Sequence, residues 1–172
     1  GLGDADSTLE AVARFLSEFE GTAVVDADAL QVVPTIETDA TLICTPHQGE
    51  LKEMGCETAD YPEKRAELVS ELASELGATV LLKGAYDAIT DGDRTRLNRT
   101  GNPGMTVGGT GDVLAGVTGA LACTLAPIHA AAVGAYANGR AGDIVADEHG
   151  YGLTATDLLD ALPQALWPEK PT

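Results

Sequence analysis

The most informative part of the chain is one glycine-rich stretch, Gly101-Asn102-Pro103-Gly104-Met105-Thr106-Val107-Gly108-Gly109-Thr110-Gly111-Asp112, which runs into the helical pattern Val113–Val117. Glycines leave backbone N–H groups uncovered and tolerate positive φ. Such N–H groups at the start of a helix attract an anion, because the orphan donors and the helix dipole both point at it. Asp112 would repel a resting phosphate, but it suits a base that deprotonates a hydroxyl attacking that phosphate. The stretch therefore indicates phosphoryl transfer, although a turn with Asp112 as its helix N-cap explains the same residues.

Short apolar runs alternate with helical patterns along the rest of the chain. Buried strands are predicted at Thr22–Asp26, Ala40–Thr45 and Thr79–Lys83, and a hairpin at Asp87–Thr90 and Arg94–Asn98. Helices are predicted at Ser7–Phe19, Tyr61–Leu76, Leu114–Cys123, Ile128–Asp147 and from Thr156 to Leu166. This alternation predicts an α/β fold with a mainly parallel sheet flanked by helices on both faces.

Composition limits the classes of partner. The 172 residues carry a formal net charge of −17, so neither nucleic acid nor an anionic membrane is an expected partner. The acidic excess is spread along the chain, which is typical of adaptation to high salt; an ordinary acidic cytosolic protein is the alternative. Three cysteines without a Cys-x-x-Cys pair argue against a disulfide scaffold or a zinc site and favour a reducing cytoplasm. No apolar run is long enough to span a bilayer.

Polar residues follow each of the three predicted buried strands. Because ligands of parallel sheets bind at the carboxyl ends of strands, these positions are candidate site residues. Glu50 could hold a water-coordinated Mg²⁺, or it could simply favour the first turn of a helix. Asp26 could hold Mg²⁺ or cap a turn, and Lys83 could meet a nucleotide phosphate or reach solvent. His47 can donate to, or accept from, a substrate group near neutral pH.

Together these segments resemble a known family over essentially the whole chain. The matching segments are Val24–Leu30, Thr45–Glu50, Leu82–Gly84, Gly101–Met105, Gly108–Gly116, Tyr151–Leu153 and Thr156–Leu159. They are similar to the ADP/ATP-dependent NAD(P)H-hydrate dehydratases, the YjeF C-terminal domain family, whose fold is ribokinase-like and three-layered. The glycine run followed by Asp112 is the most specific part of the resemblance.

The resemblance implies dehydration of hydrated NADH or NADPH, coupled to hydrolysis of ADP or ATP, as metabolite repair. It implies substrate contacts at Gly3, His47 and Asp112. We expect Asp112 to be the catalytic base and Mg²⁺ to lie near Glu50. The nucleotide is expected against Lys83, Gly84, Ala85, Tyr86 and Asp87, with its terminal phosphate held at Gly108, Gly109, Thr110 and Gly111.

Family members usually have a longer portion before the Gly1-Leu2-Gly3 segment. Residues 1–172 are therefore interpreted as a single ribokinase-like domain, the C-terminal part of a longer family domain. Two alternatives remain: a small-molecule kinase of the same fold, acting on a vitamin or sugar, and a nucleotide-binding fragment without catalysis. The family also makes a homo-oligomer plausible.

Overall fold

The computed structural model describes residues 2–57 and 62–167. The strands are β1 (Thr22–Val25), β2 (Thr41–Cys44), β3 (Thr79–Leu82), β4 (Asp87–Thr90) and β5 (Thr95–Asn98). The helices are α1 (Asp6–Glu18), α2 (Gln48–Glu53), α3 (Pro62–Leu76), α4 (Thr110–Ala122), α5 (Pro127–His149) and α6 (Ala155–Leu166). Three 3₁₀ segments lie at Ala27–Thr35, Pro103–Met105 and Gly150–Gly152. The predicted strands and hairpin are thus confirmed to within a residue or two, whereas Tyr61 lies outside the described residues.

The sheet follows the chain, in the order β1-β2-β3-β4-β5. The first three strands pair in parallel, and β4 and β5 form an antiparallel hairpin on the far side of β3. Only β4 is therefore reversed, and the prediction of a mainly parallel sheet is confirmed. The carboxyl ends of β1, β2 and β3 consequently meet at one edge.

Successive strand residues face opposite sides of the sheet, and each side is covered by helices. On one side Leu42, Cys44 and Val80 pack in a core with α1, α2 and α3. On the other side Ile43, Leu81 and Ile89 pack against α4 and α5. A third apolar cluster joins α5 to α6. These are the three layers that the sequence predicts.

Helix α4 begins four residues earlier than predicted, at Thr110. Its N-cap is Gly109, whose φ of 95° few side chains tolerate, so Asp112 is the third helical residue and not the cap. This helix start was not predicted because Gly108–Gly111 is poor in residues that favour helices. Among the described residues, no helix is both long enough and apolar enough to cross a membrane.

Candidate functional site

A cavity of about 820 Å³ opens at the carboxyl ends of the parallel strands. Its wall brings together residues from the loop after β3, the glycine-rich stretch and α5, which are far apart in sequence. Of the predicted site residues, the wall includes His47, Lys83, Gly84, Ala85, Asp87, Gly108, Thr110 and Gly111. The location agrees with the rule that such sheets bind ligands at this edge.

The glycine-rich stretch presents uncovered backbone donors to the cavity. The first backbone bond of α4 runs from Val113 N to Gly109 O, so the N–H groups of the first turn have no helical partner. The Thr110 hydroxyl lies 2.9 Å from Met105 O and 3.1 Å from Val107 O, to which it donates. The turn is therefore fixed by a side chain while its N–H groups stay available to an anion.

Lys83, directly after β3, contacts Asp26 after β1 and Glu50 in α2. Its Nζ lies 2.8 Å from Asp26 Oδ1 and 3.6 Å from Glu50 Oε2. All three side chains are largely buried, with exposed fractions of 21% for Lys83, 15% for Asp26 and 14% for Glu50. The Thr45 hydroxyl donates to the same Asp26 oxygen over 2.8 Å. The lysine therefore does not simply reach solvent, and Asp26 does not cap the turn after β1, because no side-chain cap bond forms there.

Lys83 and Asp26 also face the turn of Gly108–Gly111, which is predicted to bind an anion and is called the anion-binding turn below. A Cβ added to Gly111 would lie 3.6 Å from both Lys83 Nζ and Asp26 Oδ2. The ammonium group is thus close to the first turn of α4, where a bound phosphate would meet it.

His47 and Glu50 form a reciprocal cap at the start of α2. The His47 Nδ1 accepts from Gly49 N and Glu50 N over 3.0 Å each, and Glu50 Oε2 accepts from His47 N over 2.7 Å. In a neutral imidazole the proton is therefore on Nε2. The His47 side chain lines the cavity and is 58% exposed, while its Nε2 lies 3.5 Å from Glu50 Oε1.

Asp87 holds the loop after β3 in place. Its Oδ1 accepts from Gly84 N over 3.0 Å, and its Oδ2 accepts from Asn98 Nδ2 over 2.9 Å. Burial raises the pKa of Asp87, against the lowering effects of these two hydrogen bonds and of nearby Arg65 and Lys83. A buried carboxylate thus shapes the segment predicted to contact the nucleotide.

Other predicted residues lie outside the cavity wall, namely Gly3, Glu50, Tyr86, Gly109 and Asp112. Gly3 is exposed, with a φ of 82°, before α1. Tyr86 is exposed, and the Arg99 guanidinium lies 5.6 Å from its ring centroid. Asp112 is exposed on the first turn of α4, next to Gly111 in the wall. The wall therefore contains most residues of the two segments that are predicted to bind the nucleotide, Lys83–Asp87 and Gly108–Gly111. The predicted base, Asp112, is adjacent to the wall.

The fit of Mg²⁺ depends on carboxylates that already have partners. Glu50 accepts from the backbone of His47 and shares Lys83 with Asp26. The described residues contain no cluster of three or more His, Cys, Asp or Glu side chains that could hold a metal. These residues alone therefore do not form a Mg²⁺ site, and Glu50, the predicted ligand, would have to give up present partners to bind the ion.

The α5 side of the wall is formed by Ala135, Asn138 and Gly139. Sequence reasoning gave Asn138 only as a residue of an alanine-rich helix that could approach the adenine side of a site, and it did not identify Ala135 or Gly139. Asn138 is 6% exposed, and its Oδ1 accepts no hydrogen bond within the described part of the chain. A buried amide in an alanine-rich helix is an unusual combination and was the available signal.

Known proteins resemble this chain in both sequence and structure. A family described as NAD(P)H-hydrate dehydratase matches residues 1–164. The bifunctional NAD(P)H-hydrate repair enzyme Nnr of Pyrobaculum aerophilum is 44% identical over 170 residues, which are 96% of this chain and 34% of that protein. The ADP-dependent (S)-NAD(P)H-hydrate dehydratase of Cenarchaeum symbiosum is 44% identical over 174 residues, 98% of this chain and 60% of that protein.

A solved structure shows the same arrangement. The ADP/ATP-dependent NAD(P)H-hydrate dehydratase from Bacillus subtilis, co-crystallized with ATP and Mg²⁺, superposes with a TM-score of 0.85 at 35% identity. The match covers 96% of this chain and 61% of that one. A ribokinase-like superfamily protein from Enterococcus faecalis superposes with a TM-score of 0.82 at 25% identity, over 96% of this chain and 60% of that one. The ribokinase-like fold is thereby confirmed, and the chain spans between a third and two thirds of the length of these relatives.

Proposed function

The chain belongs to the NAD(P)H-hydrate dehydratase family, and from this premise we propose that it dehydrates hydrated NADH or NADPH at the expense of ADP or ATP. The observation that carries the proposal is the cavity that joins the Lys83–Asp87 segment to the uncovered N–H groups of Gly108–Gly111. Nucleotide phosphates would lie on those donors, close to Lys83. His47 would offer its Nε2–H to the hydrated nicotinamide nucleotide, with Gly3 as a further contact.

Asp112 is the residue that we propose as the base for the second substrate. It is exposed beside the first turn of α4 and outside the cavity wall. In the proposed mechanism, the substrate hydroxyl approaches over Asp112 and attacks the terminal phosphate in line with the bond to the leaving nucleotide. Asp112 would take the hydroxyl proton while the new oxygen–phosphorus bond forms and the bond to the leaving nucleotide breaks.

Loss of the phosphorylated oxygen would then complete the dehydration. The carbon–oxygen bond of the ring breaks, phosphate leaves, and the neighbouring ring carbon gives up a proton to restore the dihydropyridine. Mg²⁺ brought in with the nucleotide would supply positive charge that offsets the phosphates. The Lys83 ammonium group, which Asp26 and Glu50 hold in place, would contact the phosphates directly.

The test is an absorbance assay of the reduced nicotinamide. The chain is incubated with hydrated NADH, Mg²⁺ and either ADP or ATP in molar KCl, and the rise at the dihydropyridine band is followed. We expect a nucleotide-dependent rise, and the better nucleotide identifies the phosphoryl donor. Hydrated NADPH in the same assay shows which reduced cofactor is preferred.

Asp112→Asn is the variant that tests the mechanism. Asparagine keeps the size of the side chain but cannot accept the proton at neutral pH, so turnover should fall by at least about 10³-fold, near the upper range of general-base effects. Nucleotide affinity, measured by calorimetry, should stay within a few-fold, because Asp112 is outside the cavity wall. Unchanged turnover in this variant would remove Asp112 from the role.

The same experiment separates the alternatives. A stable phosphorylated product in place of the reduced cofactor would indicate a small-molecule kinase. Binding of ADP or ATP without turnover would indicate a nucleotide-binding fragment, and a longer chain that includes the upstream portion would then be assayed. Sedimentation of the same sample would test the expected homo-oligomer.

A further inference from the structure

We propose that Asp143 on α5 is a positioning residue for the nucleotide site, because it fixes the loop that forms one wall of the cavity. The inference rests on the proposed function, since it takes this cavity as the nucleotide site. The loop comprises residues 100–105, of which Thr100, Gly101, Asn102, Pro103 and Met105 line the cavity.

Both oxygens of Asp143 bond to the loop. Its Oδ2 accepts from Gly101 N, and its Oδ1 accepts from Asn102 Nδ2, each over 3.1 Å. The side-chain amide of Asn102 cannot rotate by half a turn without losing hydrogen bonds, because its Oδ1 already accepts from Gly104 N over 3.0 Å. One carboxylate therefore sets both the backbone and the side-chain orientation of the loop.

The loop lies directly on the backbone of α5. A Cβ on Gly139 would lie 2.7 Å from the carbonyl carbon and oxygen of Thr100, and one on Gly142 would lie 2.7 Å from Met105 Cγ. Gly139, Gly142 and Asp143 share one face of the helix, at spacings of three and four residues. Gly139 and Gly142 thus allow the loop to approach α5 closely, and Asp143 accepts the hydrogen bonds that hold the loop there.

The loop in turn supports the anion-binding turn. Met105 O accepts from the Thr110 hydroxyl over 2.9 Å, at the first residue of α4. Within the described ranges, no Lys, Arg or His nitrogen lies within 4.0 Å of the Asp143 carboxylate. Asp143 thus acts through directed hydrogen bonds and not through an ion pair.

Two single variants and their combination test the inference, with ADP as the probe in calorimetry. In Asp143→Asn, one oxygen can still accept from Gly101 N, but the new amide faces the amide of Asn102 as a second donor. In Asn102→Asp, two carboxylates oppose each other. In the double variant, the carboxylate at position 102 accepts from Gly104 N and from the amide at position 143, so every hydrogen bond is restored with exchanged polarity.

We expect ADP affinity to fall about tenfold in each single variant and to return to within about threefold of the original in the double variant. Asp147→Asn is the matched control, because it removes the same charge from an exposed position on α5. If only charge mattered, removal of a negative charge would tighten binding of the ADP anion in both Asp143→Asn and Asp147→Asn. The sign of the change in Asp143→Asn thus separates positioning from electrostatics.

The melting temperature and the turnover number at saturating ADP are measured on the same samples. Rescue of ADP affinity by the double variant would support positioning, and the melting temperatures show whether the single variants are folded when their affinity is measured. If the single variants bind ADP like the original chain, or if the double variant is no better than Asp143→Asn, the inference is overturned while the proposed function stands. If the original chain does not bind ADP, the proposed function fails and the inference fails with it.

Discussion

A single side chain, Lys83, links the end of β3 to the end of β1 and to the first turn of α2, which lie far apart in sequence. Asp26 and Lys83 are separated by 57 residues, yet their charged atoms are 2.8 Å apart. Removing one partner of a largely buried pair leaves an uncompensated charge, which destabilises more than loss of the whole pair. The pair is therefore a means of placing the ammonium group at the anion-binding turn as much as a source of stability.

Asp87 predicts a specific dependence of stability on pH. Burial raises its pKa in the folded state above the unfolded value of about 3.9. At a pH between these two pKa values, Asp87 is protonated more often in the folded chain than in the unfolded chain. The free energy of unfolding contributed by this group therefore falls as pH rises through that window. We expect the stability of the original chain relative to Asp87→Asn to decrease over the same range.

The measurement is urea unfolding of both proteins at several pH values from about 3.5 upward. Hydrogen bonds lost in Asp87→Asn change the free energy of unfolding by the same amount at every pH. The test is therefore how the difference in unfolding free energy between the two proteins changes with pH. Asp93→Asn removes the same charge from an exposed position of the hairpin turn and serves as the control. A difference that stays flat or rises with pH would contradict the raised pKa.

Among the elements, the contact between α5 and the loop before α4 depends on glycines. In a helix interior, Ala is normally more stable than Gly by about 1 kcal/mol. At Gly139 a Cβ would lie 2.7 Å from the backbone of Thr100, and neither backbone can yield without moving the cavity wall. At Gly116, in α4, nothing lies within 4 Å of an added Cβ.

The same substitution should therefore have opposite effects at these two positions. We expect Gly139→Ala to destabilise the fold by about 1–3 kcal/mol, the usual range for overpacking, and to weaken ADP binding. Gly116→Ala should stabilise it by up to about 1 kcal/mol. Urea unfolding of both variants provides the comparison, and stabilisation by Gly139→Ala would show that the loop does not depend on this close approach.

Elements with a clear hydrophobic period could be predicted from the sequence, and contacts between them could not. Strands β1, β2 and β3 were identified from short apolar runs such as Thr79–Leu82, and the hairpin of β4 and β5 was identified from its turn at Asp91-Gly92. The 3₁₀ segment Ala27–Thr35 was missed, since it begins at Ala27 with a φ of 56° that no local pattern predicts. The glycine-rich stretch could be singled out as a candidate site from its composition, but the bonds of Asp143 to the loop depend on how α5 packs.

For the whole molecule, a formal net charge of −17 on 172 residues predicts that stability depends on salt. Self-repulsion destabilises the compact state, and raising KCl from 0.1 to 1 M shortens the screening length from about 10 Å to about 3 Å. We expect the melting temperature to rise by about 5 °C or more, which for a chain of this size corresponds to about 1–2 kcal/mol.

Thermal unfolding in KCl and in NaCl checks this prediction, because screening by the two salts should be equal. Addition of sucrose at low salt tests whether exclusion of a cosolute from the surface accounts for the gain. A melting temperature that does not change with KCl would mean that the acidic surface is not an adaptation to high salt.

The strand order has a consequence for synthesis on the ribosome. Each of the strands β2 to β5 pairs with the one made just before it, so these five strands can pair once β5 has emerged. The helices that cover Ile43, Leu81 and Ile89 are translated only afterwards, as α4 and α5. For the time needed to translate those helices, the nascent chain presents one bare apolar face, which is the kind of surface that chaperones bind.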